Sequence, residues 1–277
     1  MSIVELLKIV VLGIVEGITE WLPVSSTGHL ILFGQFLKLK SSVDFVNMFN
    51  VVIQLGAILA VVVIYFKKLW PVGRQDSKLC FEKDKLWLWL KIIVACIPSA
   101  VIGLLFEDKI DELMSSSYIV AATLIIYGII FIVVETLNKN KEFKINDLKE
   151  LTFRTALIIG LFQVLALIPG TSRSGVTIIG AMLIGTARTE AAEFTFFLGI
   201  PTMFGASLLK ILKFVTGGSG FTGAELGYLL VGMAVSFVVS VIVIKFLMSF
   251  IKKHDFKPFG IYRIILGIAV IAFLAIG

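Results

Sequence analysis

The chain has 277 residues, 58% of them hydrophobic, with a mean hydropathy of +1.02. That is well beyond the apolar share of a soluble domain, so a water-borne globular fold is excluded and a polytopic helical membrane protein is expected. The net charge is +6, spread over loops, and it does not point to nucleic acid as a partner. Cys80 and Cys96 offer neither a metal spacing nor an expected disulfide.

In chain order, the first segment, 3–36, is apolar at both ends and polar in the middle, where Glu16-Gly-Ile-Thr-Glu20 precedes Pro23-Val-Ser-Ser-Thr-Gly-His29. The two glutamates interrupt its first apolar run and residues 25–28 do not resemble a cleavage site, so no cleavable leader is expected. Apolar runs at 45–66, 87–106 and 117–137 are each long enough to span. The segment 154–187 repeats the broken pattern around Pro169-Gly-Thr-Ser-Arg-Ser-Gly-Val-Thr177, and three more spans follow at 190–213, 224–248 and 259–277. A single span needs about 20 residues, so each broken segment reads as a helix–loop–helix hairpin returning to its own side; two ordinary spans with a very short turn are the alternative.

The expected fold class is therefore an all-α polytopic membrane protein, with six transmembrane helices plus two re-entrant hairpins. It forms one integral domain, 1–277, whose halves (1–140 and 150–277) each hold one hairpin and three spans. An odd span number inverts the second half, giving an inverted-topology repeat. Internal similarity is faint: Gly13-Ile-Val-Glu16 matches Gly160-Leu-Phe-Gln163 at an offset of 147, Pro23 and Ser26 match Pro169 and Ser172 at 146, and Gln54-Leu-Gly56 matches Phe197-Leu-Gly199 at 143. Loops 67–86, 138–154, around 188, and 252–263 carry 16 Lys and Arg, against five on the opposite side. The positive-inside rule puts the first set in the cytoplasm. The N-terminus, the acidic 107–116 loop and the Gly-rich 216–223 loop are then outside, and the hairpin tips meet near mid-membrane.

Broken backbone at membrane depth needs protein or a water-filled cavity to satisfy its polar groups, and a fixed cation there, Arg173, marks function, pairing or such a cavity. Glu16 and Glu20 are four residues apart and share a helical face. Two close carboxylates call for a cation, and a hard divalent ion, Mg²⁺ or Ca²⁺, would suit them and phosphate oxygens alike. The plain alternative is one protonated and one interfacial glutamate. Ser25, Ser26 and Thr27 start a half-helix whose free N–H groups are ready for an anion, or simply cap it. His29 suits proton transfer, although a lone histidine is more often structural. Arg173, between Ser172 and Ser174, can fork onto phosphate oxygens, while Gly170 and Gly175 let backbone approach a ligand; its plain reading is an ion pair with Glu16 or Glu20. Gln54, Glu193 and Lys245 read as supporting or helix-packing groups, and His254 as surface. The inventory suits cleavage of a phosphate anhydride or ester, with the substrate's tail left in lipid.

Glu16-x-x-x-Glu20, the Pro-Val-Ser-Ser-Thr-Gly-His29 run and Pro169-Gly-x-Ser-Arg-Ser-Gly-x-Thr177 resemble the undecaprenyl-diphosphate phosphatase family, also called bacitracin resistance proteins. The resemblance spans essentially the whole chain, including Gln54-Leu-Gly56 and Ile261-Tyr-Arg263. It implies hydrolysis of undecaprenyl diphosphate to the monophosphate, recycling the carrier lipid for peptidoglycan synthesis. It also implies a location in the bacterial inner membrane, a site open to the outer face, a divalent-metal requirement and bacitracin resistance. By motif, Glu16 and Glu20 would be the metal-linked pair, with Glu20, Ser26, His29 and Arg173 catalytic. Ser172, Ser174, Gly170, Thr177, Ser25 and Thr27 would line the substrate pocket with Arg173. Either Ser26, with His29 beside it, or a metal-bound water would attack. Expected partners are a polyprenyl diphosphate lipid and the bilayer, with a homodimer left open. Type-2 phosphatidate phosphatases share Ser-Gly-His and Ser-Arg elements, but they need a histidine soon after Ser172-Arg173, and none occurs before His254. A secondary transporter or lipid flippase is the rival from another class.

Overall fold

A computed structural model describes residues 2–75, 78–106, 109–110, 116–139, 141–218 and 220–276, with backbone alone at positions 27, 31, 35, 36, 74, 75, 78, 79 and 276. Most of the acidic 107–116 loop and part of the 216–223 loop lie outside the described residues. The helices in chain order are α1 (Ile3–Thr19), α2 (Ser26–Phe36), α3 (Val43–Val52), α4 (Gln54–Ile64), a short α5 (Phe66–Leu69), α6 (Lys83–Leu105), α7 (Ser117–Asn138), α8 (Phe153–Val164), α9 (Arg173–Leu183), α10 (Arg188–Thr216), α11 (Gly223–Ile251) and α12 (Lys257–Ile276). A single 3₁₀ turn, Leu165–Leu167, extends α8.

Among the described residues, six stretches are long and apolar enough to cross a membrane: Val43–Ile64, Lys83–Leu105, Ser117–Asn138, Arg188–Thr216, Gly223–Ile251 and Lys257–Ala275. They coincide with the six expected runs and extend most of them by a few residues, because capping rather than hydropathy decides where a helix starts. Ser42, Ser116, Thr152 and Thr222 each accept the backbone N–H three residues on, satisfying one of the four donors every helix start leaves unpaired. Thr222 and Glu225 complete a reciprocal capping box. One departure from all-α is an antiparallel hairpin, β1 (Val72–Gln75) with β2 (Lys78–Phe81), in register Val72 to Phe81 and Gln75 to Lys78. The polar loop pairs its backbone groups this way because no helix there supplies partners.

The helices touch where glycine replaces a side chain. In α1, a Cβ on Gly13 or Gly17 would fall 2.9 and 2.8 Å from the Gly232 and Ser236 carbonyls of α11. A Cβ on Gly160 of α8 would run into the Ala95 backbone of α6, and one on Gly56 of α4 into Met233 of α11. Gly128 of α7 and Gly260 of α12 meet reciprocally, each 2.7 Å from the other's carbonyl if given a Cβ. Lipid supplies no hydrophobic drive between helices, so close backbone approach at small residues is what packs them. The outer surface carries Ile93, Leu104, Ile126, Phe204, Ile242, Phe246 and Ile265, all well exposed, an apolar girdle suited to a bilayer rather than to water.

The lysine-rich loops share one end. Lys68 pairs with Glu193, Lys149 with Asp84, Arg188 with Glu135, and the Phe256 amide also donates to Glu135; the Lys144 amide bonds Gly185. At the other end the Lys8 ammonium donates to the Lys38 carbonyl and the Lys40 amide donates to Glu5. Two residues depart from their expected settings. Lys245 is exposed rather than packing a helix pair, and Arg263, counted among the loop charges, is wholly buried within α12.

Candidate active site

The polar stretches after α1 and after α8 come together. Both half-helices that follow, α2 and α9, begin on a serine with left-handed backbone: Ser25 at φ 74° and Ser172 at φ 69°, the only non-glycine residues with positive φ among those described. Each such serine costs on the order of 1–3 kcal/mol, and each reverses the chain so that the next helix starts at the tip. Ser25 accepts the Gly28 amide at 3.3 Å and Ser172 the Gly175 amide at 3.2 Å. This structural match has an offset of 147, one more than the Pro–Ser comparison of the sequence, and it agrees with the Gly13–Gly160 offset.

Arg173 crosses from one tip to the other. Its guanidinium donates to Glu20 Oε1 at 2.8 Å, to the Thr195 carbonyl at 2.8 Å and to Met203 Sδ at 3.1 Å. The guanidinium also lies over the Trp21 ring, 5.7 Å from its centroid. Gly199 of α10 makes room for it, since a Cβ there would sit 2.7 Å from the guanidinium. The second Glu20 oxygen accepts the Ser26 hydroxyl at 2.8 Å, and Ser174 donates to the Glu20 carbonyl at 3.1 Å. Thr177 donates to the Arg173 carbonyl and receives the Thr195 hydroxyl. Ser172 and Ser174 hydroxyls lie 3.3 Å apart. The Thr27 side chain lies outside the described residues.

The Glu20–Arg173 pair is only 8% and 11% exposed, so its Coulomb attraction is weakly screened. Glu16, one turn before Glu20, is fully buried, and neither of its carboxylate oxygens has a hydrogen-bond partner among the described residues. Its counterpart Gln163 is satisfied at both ends, donating to Ser99 and accepting from Thr202, the residues next to Pro98 and Pro201 inside α6 and α10. Arg173 Nε, Trp21 Nε1 and Thr171 Oγ1 are likewise buried without partners. Native interiors rarely leave such groups unpaired, and a cluster of them asks for an explanation. A bare ionised carboxylate costs several kcal/mol unless a cation or a proton meets it. Two neighbouring carboxylates with two free oxygens fit a hard divalent ion that completes its shell with water or phosphate oxygens; no cluster of three or more metal-ligating His, Cys, Asp or Glu occurs among the described residues.

His29 stands apart from this cluster. Its Nδ1 faces the Ser25 carbonyl at 2.7 Å and its Nε2 faces the Tyr262 hydroxyl at 2.7 Å. A carbonyl can only accept, so Nδ1 carries the proton, and in the neutral ring Nε2 accepts from Tyr262. Ser26 thus hands its hydrogen bond to Glu20, not to His29. Gly170, at φ 82°, packs against Val120 and Thr123 so closely that a Cβ would strike the Thr123 hydroxyl; Thr123 itself donates to the Pro169 carbonyl at 2.7 Å. Glu193 lies two residues before Thr195, paired with Lys68 in a charged cleft of about 430 Å³ at the lysine-rich end. Gln54 is half-buried and His254 exposed.

Sequence reasoning missed Trp21, Thr123, Thr195, Tyr262 and Arg263. For Arg263 the signal existed, an arginine inside an apolar run. The others are ordinary membrane-helix residues whose role is set by what packs opposite.

Comparison with known proteins agrees with these motifs. The family described as Bacitracin resistance protein BacA matches residues 9–269. A protein of Lachnoclostridium phytofermentans named Undecaprenyl-diphosphatase is 60% identical over 270 residues, covering 98% of this chain and 97% of its own. The Enterococcus faecalis protein of the same name is 56% identical over 277 residues, covering 100% and 99%. Undecaprenyl-diphosphatase 1 of Clostridioides difficile is 59% identical over 272 residues, covering 98% and 97%. With nearly its whole length matched and its broken-helix motifs gathered at one buried cluster, the chain belongs to the BacA family of bacitracin resistance proteins.

Proposed function

We propose that this chain is a membrane phosphatase that hydrolyses undecaprenyl diphosphate to undecaprenyl phosphate and inorganic phosphate, recycling the carrier lipid for peptidoglycan synthesis and so conferring bacitracin resistance. The observation that carries the reading is the buried Glu20–Arg173–Ser26 junction, which unites both motif-bearing tips. Relatives at 56–60% identity over full length bear the matching name.

In this reading Arg173 turns from Glu20 to the diphosphate, joined by the N-terminal amides of α2 and α9 and by Ser172, Ser174 and Thr27. Gly170 and Gly175, expected to admit a ligand, instead admit Thr123 and Phe131, and Ser25 and Thr177 hold the frames of the two half-helices. Ser26 Oγ bonds to the terminal phosphorus while the bond from that phosphorus to the bridging oxygen breaks. Its proton passes to Glu20, which it already touches, and the lipid monophosphate leaves. Water then cleaves the phosphoseryl bond, releasing inorganic phosphate and restoring the serine. A divalent cation, Mg²⁺ or Ca²⁺, held by Glu16 and Glu20, would neutralise diphosphate charge. His29, tied to Tyr262, moves protons at the edge of the pocket.

The fold is read as an inverted repeat of two re-entrant hairpins and three spans each. The paired left-handed serines support this, as do the exchanged packings of α1 on α11 and α8 on α6. The lysine-rich end is read as cytoplasmic by the positive-inside rule, in a chain read as a bacterial inner-membrane protein with its site open outward. The test is phosphate release from a C55 or C15 diphosphate by purified protein in detergent, with Mg²⁺ or Ca²⁺ added. Turnover should vanish in Arg173→Ala; an absence of phosphate with labelled lipid still crossing a vesicle bilayer would transfer the fold to the transporters.

A further inference from the structure

Arg263 is a fully buried cation within α12, with no carboxylate in ion-pair range among the described residues. Its guanidinium donates to the carbonyls of Pro23 at 3.2 Å, Gly170 at 2.9 Å and Thr171 at 3.0 Å. The first belongs to one hairpin tip and the other two to the opposite tip. These carbonyls follow the C-terminal ends of α1 and of α8 with its 3₁₀ turn, where helix dipoles are negative and a cation is favoured. The amide ends of α2 and α9 are thereby left as the positive poles of the junction.

We infer that Arg263 is a positioning residue for the reaction proposed above, clasping the two tips by their backbone carbonyls so that Ser26 and Arg173 keep their mutual placement while substrate is bound. The reasoning concerns which links between the tips survive turnover. The Arg173–Glu20 and Ser26–Glu20 bonds are made by groups that must turn to the diphosphate, so substrate breaks them. Ser174 on the Glu20 carbonyl is a single neutral hydrogen bond. Arg263 is charge-assisted, touches both tips, and is wholly buried on backbone carbonyls that have no need to turn to the diphosphate. Thr123, bonded to the Pro169 carbonyl beside it, holds the second tip from α7.

The experiment compares wild type, Arg263→Met and Arg263→Lys in detergent, using a C15 diphosphate for kcat and KM and hydrogen exchange for the backbone. Loss of the clasp in Arg263→Met should lower kcat about 100-fold, the scale for small misplacements of reacting groups, with KM changed by less than about threefold. Exchange should quicken in peptides covering 21–28 and 168–175, while those within Ser117–Asn138 keep the wild-type rate. A mere packing role would loosen α7 and α12 together and leave the tips as they were, which overturns the inference; so does a kcat within about twofold of wild type. Should Arg263→Met not fold, Arg263→Lys decides. A lysine reaching Gly170 and Thr171 but not Pro23 should lose about tenfold in kcat, with faster exchange at 21–28 alone, and wild-type values in both refute the clasp. If wild type itself releases no phosphate, the phosphatase reading fails, and the exchange data still judge the clasp.

Discussion

Removing Arg173 should hurt the fold more than removing Glu20, and the difference can be worked from the junction. Arg173→Met leaves two neighbouring carboxylates, Glu16 and Glu20, without the cation beside them, and takes one donor from the Thr195 carbonyl. Breaking a buried ion pair from one side costs about 3–5 kcal/mol, and exposures of 8% and 11% call for little discount. Glu20→Gln leaves Arg173 bonded to Thr195, lying over Trp21 and still near Glu16, so its cost is nearer one charged hydrogen bond, about 1.5–3 kcal/mol. The double variant, with neither charge, should lose distinctly less than the two single losses combined. Thermal unfolding followed by tryptophan fluorescence in detergent measures all three, alongside phosphate release. Millimolar Mg²⁺ should restore part of the stability of Arg173→Met, because an ion that binds only the folded state raises its stability by mass action. Equal losses in the two single variants, with strict additivity in the double, would refute the buried junction. Activity should be absent in both Arg173→Met and the double variant, separating the chemical role from the structural one.

Other consequences follow from single features. Glu16→Gln removes a carboxylate that accepts no hydrogen bond among the described residues, so melting without metal should stay level or rise, while the metal concentration needed for activity climbs; a clear loss of stability without metal would count against the orphaned carboxylate. Gly160→Ala must push its Cβ into the Ala95 backbone of α6 and should cost about 1–3 kcal/mol. Gly205→Ala, with open space around it, should be neutral or stabilise by about 0.5–1 kcal/mol; denaturation midpoints that reverse this order would dismiss the glycine contacts. Tyr262→Phe takes from His29 Nε2 its donor among the described residues and should slow turnover severalfold with about 1 kcal/mol of stability lost, whereas unchanged kinetics would remove His29 from the proton path. Finally, a cysteine at 220 should react with an impermeant thiol reagent from outside cells and one at 144 should not, and the opposite labelling would invert the proposed orientation.

Much of this was readable from residue order because hydropathy acts along the chain. A bilayer demands about 20 apolar residues per crossing, so six spans were visible, and polar interruptions at membrane depth are costly enough that the motifs around Glu16–His29 and Pro169–Thr177 stood out as the candidate site. Their pairing followed from counting spans. The limits were equally physical. Capping serines and threonines moved helix ends by a few residues, and the β1–β2 hairpin arises from backbone pairing that carries no strong hydropathy signal. Arg263 was counted as a loop charge because its neighbours Lys252, Lys253 and Lys257 lie at the lysine-rich end, whereas α12 carries it inward to the tips.

The linear order of apolar and polar residues therefore determined that the chain lives in lipid, how often it can cross, and which two polar stretches interrupt its apolar segments. Only the tertiary structure decided who meets whom: Ser26 with Glu20 rather than His29, His29 with Tyr262, and Arg263 with both tips. The reason is range. Partition into a bilayer is a property of each segment by itself, while the His29–Tyr262 and Arg263–Pro23 hydrogen bonds, 233 and 240 positions apart, exist only after the helices have packed.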